Sequence, residues 1–502
     1  MRPWNGGRLV VALWAFVTTL GASSAFADYE PEWDDSEIVV HLMGTVGIET
    51  INERWGTYTL DAFPEADLYL VAPQVPGLIP EISEQMETDP DIRSAHPNFV
   101  QDTPEGIRQL LIIAVGGEYV DYEDQLLTQR IGLDEAHQVT RGAGVTVAIL
   151  DTGVDPTHEA LVGHLASDGY DFVGNDSEPW EEANGVDDDG DTQIDEGYGH
   201  GTMVAGIVAL VAPEATILPI RVLDDDARAD AFVICKAIRY AAMHGADVIN
   251  MSLGIPVEIE AIEDQIEFIE QNDILLVAGA GNESRGDAPF FPAADERVLM
   301  VTAVDSLDTK ADFADWGRDV ALCAPGTGVR SAYPGDQWAL GAGCSFATPF
   351  ASGSAALVRA VSPTLSLQDW RRRVCKGTRS VDGLVGNGPY LGLLGQGRVY
   401  LPGAVLTPAD VAEASPRVEW TAWPNPATNE VVFRAADEVD GLPAQDLQVY
   451  DGTGRRVAAI APSGDSWRWD ARDDRGNPVP SGIYFIRPEG SDRAALSIRV
   501  VR

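Results

Sequence analysis

Four residues stand in settings from which chemistry follows. Asp151 closes the apolar run 144–151 (GVTVAILD) and is followed by Thr152-Gly153-Val154-Asp155. His200 lies in Gly199-His200-Gly201-Thr202, ahead of an apolar stretch over 203–210 that contains Gly206. Asn282 ends Leu276-Val277-Ala278-Gly279-Ala280-Gly281-Asn282, a strand-like run into a glycine-rich turn. Ser345 lies in Gly343-Cys344-Ser345-Phe346-Ala347-Thr348-Pro349, before a helix-like stretch of small apolar residues through Val358. A serine hydroxyl is a weak nucleophile near neutral pH and needs an adjacent base. Imidazole takes and returns a proton in that range, and a buried carboxylate holds the imidazole in the right tautomer. A helix beginning at Ser345 aims backbone N–H groups at a developing oxyanion, and the Asn282 amide is a further donor. Glycines beside His200 and before Ser345 admit a substrate backbone. Singly, each residue has a plain structural reading: Asp151 and Ser345 as helix caps, Asn282 as a turn residue, His200 as a core histidine. Together they predict acyl transfer through a serine nucleophile.

The elements that must position them are legible. Apolar runs at 144–151, 216–220, 246–251, 274–278 and 298–304 alternate with helix-like stretches such as 231–244 and 259–272. That alternation predicts an α/β fold with a parallel sheet covered by helices on both faces. Upstream, 28–126 carries 22 acidic and 3 basic side chains. Its strand-like runs at 37–42, 67–72 and 95–100, with a helix near 79–86, predict a small α+β unit. Downstream, 402–416 is a Pro/Ala-rich linker. Residues 419–502 hold short runs (431–434, 446–450, 482–487) between turn signals such as Gly476-Asn477-Pro478, a β-sandwich pattern.

The 502-residue chain has 79 acidic and 34 basic residues, net −45, which argues against nucleic-acid or anionic-lipid partners. Hydrophobic residues at 45% and charged residues at 23% are ordinary for globular domains, so wholesale disorder is excluded. Four cysteines without a CxxC spacing speak against a zinc site or a disulfide framework, and buried thiols are expected. Arg2 and Arg8, an apolar run over 9–20 and Ala25-Phe26-Ala27 have the layout of a secretory signal. The apolar run is too short for a membrane span. Export is expected.

With Asp, His, Asn and Ser in this order, residues 127–403 resemble the subtilases, the subtilisin-like serine proteases. Phe291-Pro292-Ala293-Ala294, the run 301–305 and Ala324-Pro325-Gly326 add to the likeness. The resemblance implies Asp151 as orienting acid, His200 as general base, Asn282 as oxyanion donor and Ser345 as nucleophile. An extended peptide substrate would lie between Ser252-Leu253-Gly254 and Ala278-Gly279-Ala280-Gly281, whose small residues imply a roomy, apolar pocket. Cys344 and Met203 depart from the family's usual Thr and His. Ahead of His200, carboxylates grouped around Gly190 suggest Ca²⁺ held by Asp187, Asp189, Asp191 and Glu196. Gly185, at the loop's first position, breaks the EF-hand pattern. With the signal layout and the linker composition, the expected organisation is a signal peptide (1–27), a pro-domain (28–105) that the resemblance implies is inhibitory, a catalytic domain (106–403), a linker (404–418) and a C-terminal domain (419–502). This last domain resembles FlgD-like and type IX secretion β-domains, which implies outer-membrane secretion machinery as a partner. The expected protein is a secreted, monomeric, self-processing endopeptidase with protein or peptide substrates. The rival readings are a surface binding protein with a dead cleft and a narrow processing protease.

Overall fold

The computed structural model describes residues 32–102, 112–116, 119–187, 192–255, 257–286, 290–406, 420–423, 431–435, 446–451, 456–463, 466–488 and 496–500. The chain divides into two units after Leu406. The first is built on a nine-stranded sheet among the described residues. From one edge its strands are Thr378–Arg379, Arg398–Val399, Leu322–Pro325, Leu299–Val304, Leu275–Gly279, Val248–Met251, Thr146–Asp151, Thr216–Arg221 and Tyr170–Asp171. Every neighbouring pair is parallel except Thr378–Arg379 with Arg398–Val399.

The apolar runs are continuous because both faces are covered. Along Thr146–Asp151, Val147 and Ile149 join one core with the helices His200–Val211 and Cys344–Val361. Ala148 and Leu150 join a second core with the helices Ala231–Met243 and Glu260–Gln271. The predicted strands and helices of this region therefore form within a residue or two of their expected limits. One element was not foreseen: the strands Thr327–Tyr333 and Gln337–Ala342 form a hairpin, to which Ile112–Val115 adds a third strand. Its mix of Gly, Ala, Ser and Trp has no clean period-two alternation, which hid it.

Upstream, Trp33–Leu42, Thr57–Phe63, Leu68–Pro73 and Ile92–Asp102 form an antiparallel sheet with the helices Ile48–Trp55 and Ile79–Met86. Alternation along Trp33–Leu42 sends Ile38, Val40 and Leu42 toward those helices, with Ile51 and Met86. Val39, with Leu68 and Leu70, faces the other way, into the core that contains Phe232 and Ile262. Val100, Gln101 and Asp102 pair antiparallel with Asp230, Ala229 and Arg228, so this sheet continues across the boundary between the α+β layer and the α/β layer. Ion pairs join the same boundary: His41–Asp264 at 2.6 Å, Lys236–Asp61 at 2.7 Å, Arg228–Glu32 at 2.5 Å, and Arg93 with Asp264.

The second unit's described strands form two antiparallel four-stranded sheets. Val431, Phe433, Trp467 and Trp469 from one sheet and Leu447, Val449, Ile486 and Ile498 from the other share a core. No disulfide links the four cysteines, all of which lie among the described residues; Cys235, Cys323 and Cys344 are buried and Cys375 is half-buried. Among the described residues, no helix is long and apolar enough to cross a membrane.

Candidate active site

Asp151 is the last residue of its strand, and His200 is the first residue of the helix His200–Val211. His200 Nδ1 lies 2.7 Å from Asp151 Oδ1, both side chains essentially without solvent contact. The Thr152 N–H donates to the same carboxylate oxygen at 2.8 Å. Gly199, at the helix N-cap, has φ +94°, a conformation that favours glycine, and a side chain there would meet the Tyr333 ring.

Gly199 offers no side-chain cap, so the first-turn N–H groups of this helix need another acceptor. Glu181 provides it from a separate loop. Its Oε2 accepts from Gly199 N–H at 3.0 Å, and its Oε1 accepts from Thr202 N–H at 3.0 Å and from the Thr152 hydroxyl at 2.9 Å. The Thr152 hydroxyl in turn accepts from Gly201 N–H at 2.9 Å. The Thr202 hydroxyl accepts from Asp155 N–H at 2.9 Å and reaches Glu181 Oε1 at 3.3 Å. Burial pushes the Glu181 carboxyl up to about 7, against the lowering effect of these donors and with the help of nearby Asp151. Sequence reasoning missed Glu181; an acid in an aperiodic acidic stretch gives no local signal.

Ser345 is the second residue of the helix Cys344–Val361, and its hydroxyl donates to Ser252 C=O at 3.1 Å. Pro349 lies inside that helix and has no N–H for the carbonyl four residues back, that of Ser345. The Ser252 hydroxyl takes over and donates to Ser345 C=O at 2.9 Å. Behind it, Ser352 Oγ donates to Asn250 Oδ1 at 2.8 Å, and Asn250 Nδ2 donates to Ser252 Oγ at 3.1 Å. Asn282 Oδ1 accepts from Cys344 N–H at 2.8 Å, which fixes the amide's orientation and ties the Asn282 turn to the start of the nucleophile helix. Cys344 Sγ donates to Gly281 C=O at 3.0 Å. Asp315 backs this turn: its N–H donates to Gly281 C=O at 3.0 Å, and its Oδ1 accepts from Arg285 N–H at 2.7 Å. Burial and nearby Glu283 push the Asp315 carboxyl up to about 7.

The two expected substrate edges lie side by side at the carboxyl end of the sheet, where α/β folds gather their sites. Met251 is in register with Ala278, so Ser252-Leu253-Gly254 and Gly279-Ala280-Gly281 leave neighbouring strands together, and all six are buried. Of the expected cation ligands, Asp187 and Glu196 are described, and Asp189 and Asp191 lie outside the described residues. Asp187 Oδ2 accepts from Thr192 N–H at 3.0 Å. Neighbouring Asp195 accepts from the Asn184 and Gly185 N–H groups at 3.0–3.1 Å, and its own N–H donates to Asp226 at 3.0 Å. Among the described residues no group of three or more Asp, Glu, His or Cys converges on one point. The donor type of this loop, carboxylate oxygen, is the one a hard divalent cation takes.

A family model described as the subtilase family, peptidase S8, matches residues 142–388. Thermitase of Thermoactinomyces vulgaris is 35% identical over 240 residues, 46% of this chain and 80% of that protein. Subtilisin DY of Bacillus licheniformis is 34% identical over 248 residues, 47% of this chain and 83% of that protein. In structure, fervidolysin from Fervidobacterium pennivorans, described as a keratinolytic enzyme related to subtilisin, aligns at a TM-score of 0.61 with 19% identity. That alignment covers 90% of this chain and 71% of fervidolysin. A protease from Pseudoalteromonas arctica aligns at a TM-score of 0.51 with 25% identity, covering 60% of this chain and all of that one.

Proposed function

We propose that this chain, which belongs to the subtilase family and is a serine endopeptidase, cleaves peptide bonds through an acyl-enzyme on Ser345. His200 takes the Ser345 proton as the hydroxyl attacks the scissile carbonyl, then returns it to the leaving amine. Asp151 keeps the imidazole in register and balances its positive charge. The Asn282 side-chain N–H₂ and the Ser345 N–H receive the oxyanion. A second cycle, with water in place of the serine hydroxyl, releases the acid product. These roles are those of the subtilisin triad, and membership of the family supports the reading. The single observation that carries them is the 2.7 Å His200–Asp151 contact joined to a nucleophile helix whose first N–H is bound by Asn282.

The substrate is an extended segment of protein laid between Ser252-Leu253-Gly254 and Ala278-Gly279-Ala280-Gly281. The acidic α+β unit acts as a pro-domain that covers the enzyme until it is cut away. In support, its last strand, Ile92–Asp102, is paired with Arg228–Asp230. Residues 1–27 direct export, the protein works outside the cell as a monomer, and the C-terminal sheets serve as a sorting domain for outer-membrane secretion machinery. Ca²⁺ bound by Asp187, Asp189, Asp191 and Glu196 would brace the loop ahead of His200. It supplies structural stability and takes no part in the proton transfers.

Fluorophosphonate labelling of wild type and of Ser345→Ala tests the mechanism. The wild type is expected to label and to process its own precursor, and the variant to do neither. An unlabelled, unprocessed wild type favours the dead-cleft reading. A melting temperature unchanged by EDTA would remove the calcium.

A further inference from the structure

The polar groups behind the catalytic dyad converge on Glu181, a carboxylate that acyl transfer itself does not use. Asp151 and His200 come from separate elements, a strand end and a helix start, and one 2.7 Å contact joins their side chains. Glu181 touches both elements. Its Oε2 binds Gly199 N–H, directly before His200, and its Oε1 binds Thr202 N–H, two residues after it. The same Oε1 receives the hydroxyl of Thr152, the residue after Asp151. The backbone of Glu181 is fastened to that loop as well: its N–H donates to Val154 C=O at 3.0 Å, and Val154 N–H donates to Pro179 C=O at 3.1 Å. At Gly153, between Thr152 and Val154, φ is +109° and a Cβ would lie about 3 Å from the Trp180–Glu181 backbone, so the loop closes onto Glu181 without a side chain in between.

We infer that Glu181 is a positioning residue, whose two carboxylate oxygens clamp the start of the His200 helix to the loop after Asp151 and so hold the imidazole in register. The inference rests on the peptidase reading above and names a further residue for it. Both oxygens are needed, because they face N–H donors of different residues. An amide in the same place would turn its own N–H₂ against one of those donors. A helix N-terminus favours a negative charge, so the ionised form is the better clamp. The titratable groups that act on or beside Glu181 are Asp151 and the Tyr198 and Tyr333 side chains, with Asp155 acting on Tyr198 as well. Of the acids among them, Asp155 is held below the usual carboxylate range by the Thr157 hydroxyl and the N–H groups around it. Burial pushes Glu181, which lies next to the dyad, up to about 7.

The test compares mature wild type, Glu181→Ala and Glu181→Gln on a chromogenic peptide, with folding checked by circular dichroism. For Glu181→Ala, kcat is expected to fall roughly 10²-fold, the penalty of a small misplacement of a catalytic group, with KM within about threefold because substrate contacts are untouched. The isosteric Glu181→Gln should lose about tenfold, since its remaining oxygen still accepts from the donors on one side, such as Thr202 N–H and the Thr152 hydroxyl. The acid limb of kcat/KM should be steeper than a single protonation in the wild type and should reduce to one proton in Glu181→Gln. Folded variants with kcat within about threefold of wild type and an unchanged limb would overturn the inference, whatever their melting temperatures. A wild type that itself neither labels with fluorophosphonate nor cleaves would overturn the peptidase reading beneath it.

Discussion

On the base side of the site, a buried carboxyl gathers donors from two elements. On the nucleophile side, neutral dipoles do the holding. His200 and Asp151 are surrounded by Thr152, Thr202 and Glu181, and each link in that group runs to a carboxylate or to a hydroxyl that touches one. Ser345 and the Cys344 N–H before it are held by a carbonyl, a hydroxyl and an amide: Ser252 C=O and Ser252 Oγ on Ser345, and Asn282 Oδ1 on Cys344 N–H. The carboxyl behind this second half, Asp315, accepts from Arg285 N–H while its own backbone N–H donates to Gly281 C=O, one step away from the reacting atoms. The difference follows the chemistry. The imidazole gains a positive charge during turnover and is best met by standing negative charge. The nucleophile side must receive a negative charge, so a carboxylate in contact there would oppose the oxyanion and dipoles favour it.

Three measurements would sharpen or break that contrast. The largest effect is expected at the dipolar side: Asn282→Ala should lower kcat by roughly 10²–10³-fold with little change in KM. A loss below tenfold would remove Asn282 from the oxyanion role. Next comes pH. In the folded protein Glu181 and Asp315 both sit at about 7, above their ordinary values of 4.5 and 3.8. The folded state therefore holds these protons more tightly than the unfolded chain. The stability they contribute is whole below pH about 4 and lost as pH rises through about 7. For Glu181 alone the window is worth roughly 3 kcal/mol. Denaturant unfolding at pH 5 and pH 8, in a Ser345→Ala background that cannot digest itself, should show stability falling with pH. Glu181→Gln should flatten that fall, and Asp315→Asn should flatten it too. If only one does, one side alone carries the titration. The smallest effect is expected for Thr152→Val, which deletes the hydroxyl between Glu181 and Gly201. It should cost about 1–2 kcal/mol of stability and lower kcat less than Glu181→Ala does. A larger kcat loss than at Glu181 would move the centre of the base-side lattice to Thr152.

The parallel sheet was legible because burial on both faces leaves uninterrupted apolar runs, and Val147, Ala148, Ile149 and Leu150 show why: neighbours in the run enter different cores. The expected site residues Asp151, His200, Asn282 and Ser345 stood out in the sequence because each closes, follows or precedes an apolar run beside glycine or small residues. The hairpin Thr327–Ala342 was not, since its small residues carry no period. Glu181 was not, because its importance lies in donors contributed by residues 152, 199 and 202, which no local pattern links to it. The loop before His200 was read by its acids alone, whereas Asp195 and Asp226 are engaged through backbone N–H groups that composition does not reveal.

Pro349 leaves one further consequence. Because it removes a rung from the nucleophile helix, the Ser345 carbonyl takes its hydrogen bond from Ser252, at the end of the neighbouring strand, and the register of the nucleophile is set from outside its own helix. The helix is therefore not a portable part. Moved alone onto another scaffold, it would carry the serine with one backbone acceptor unanswered. The smallest unit that could be transplanted with its geometry intact is helix and strand end together, with Asn250 and Ser352 as the joint between them.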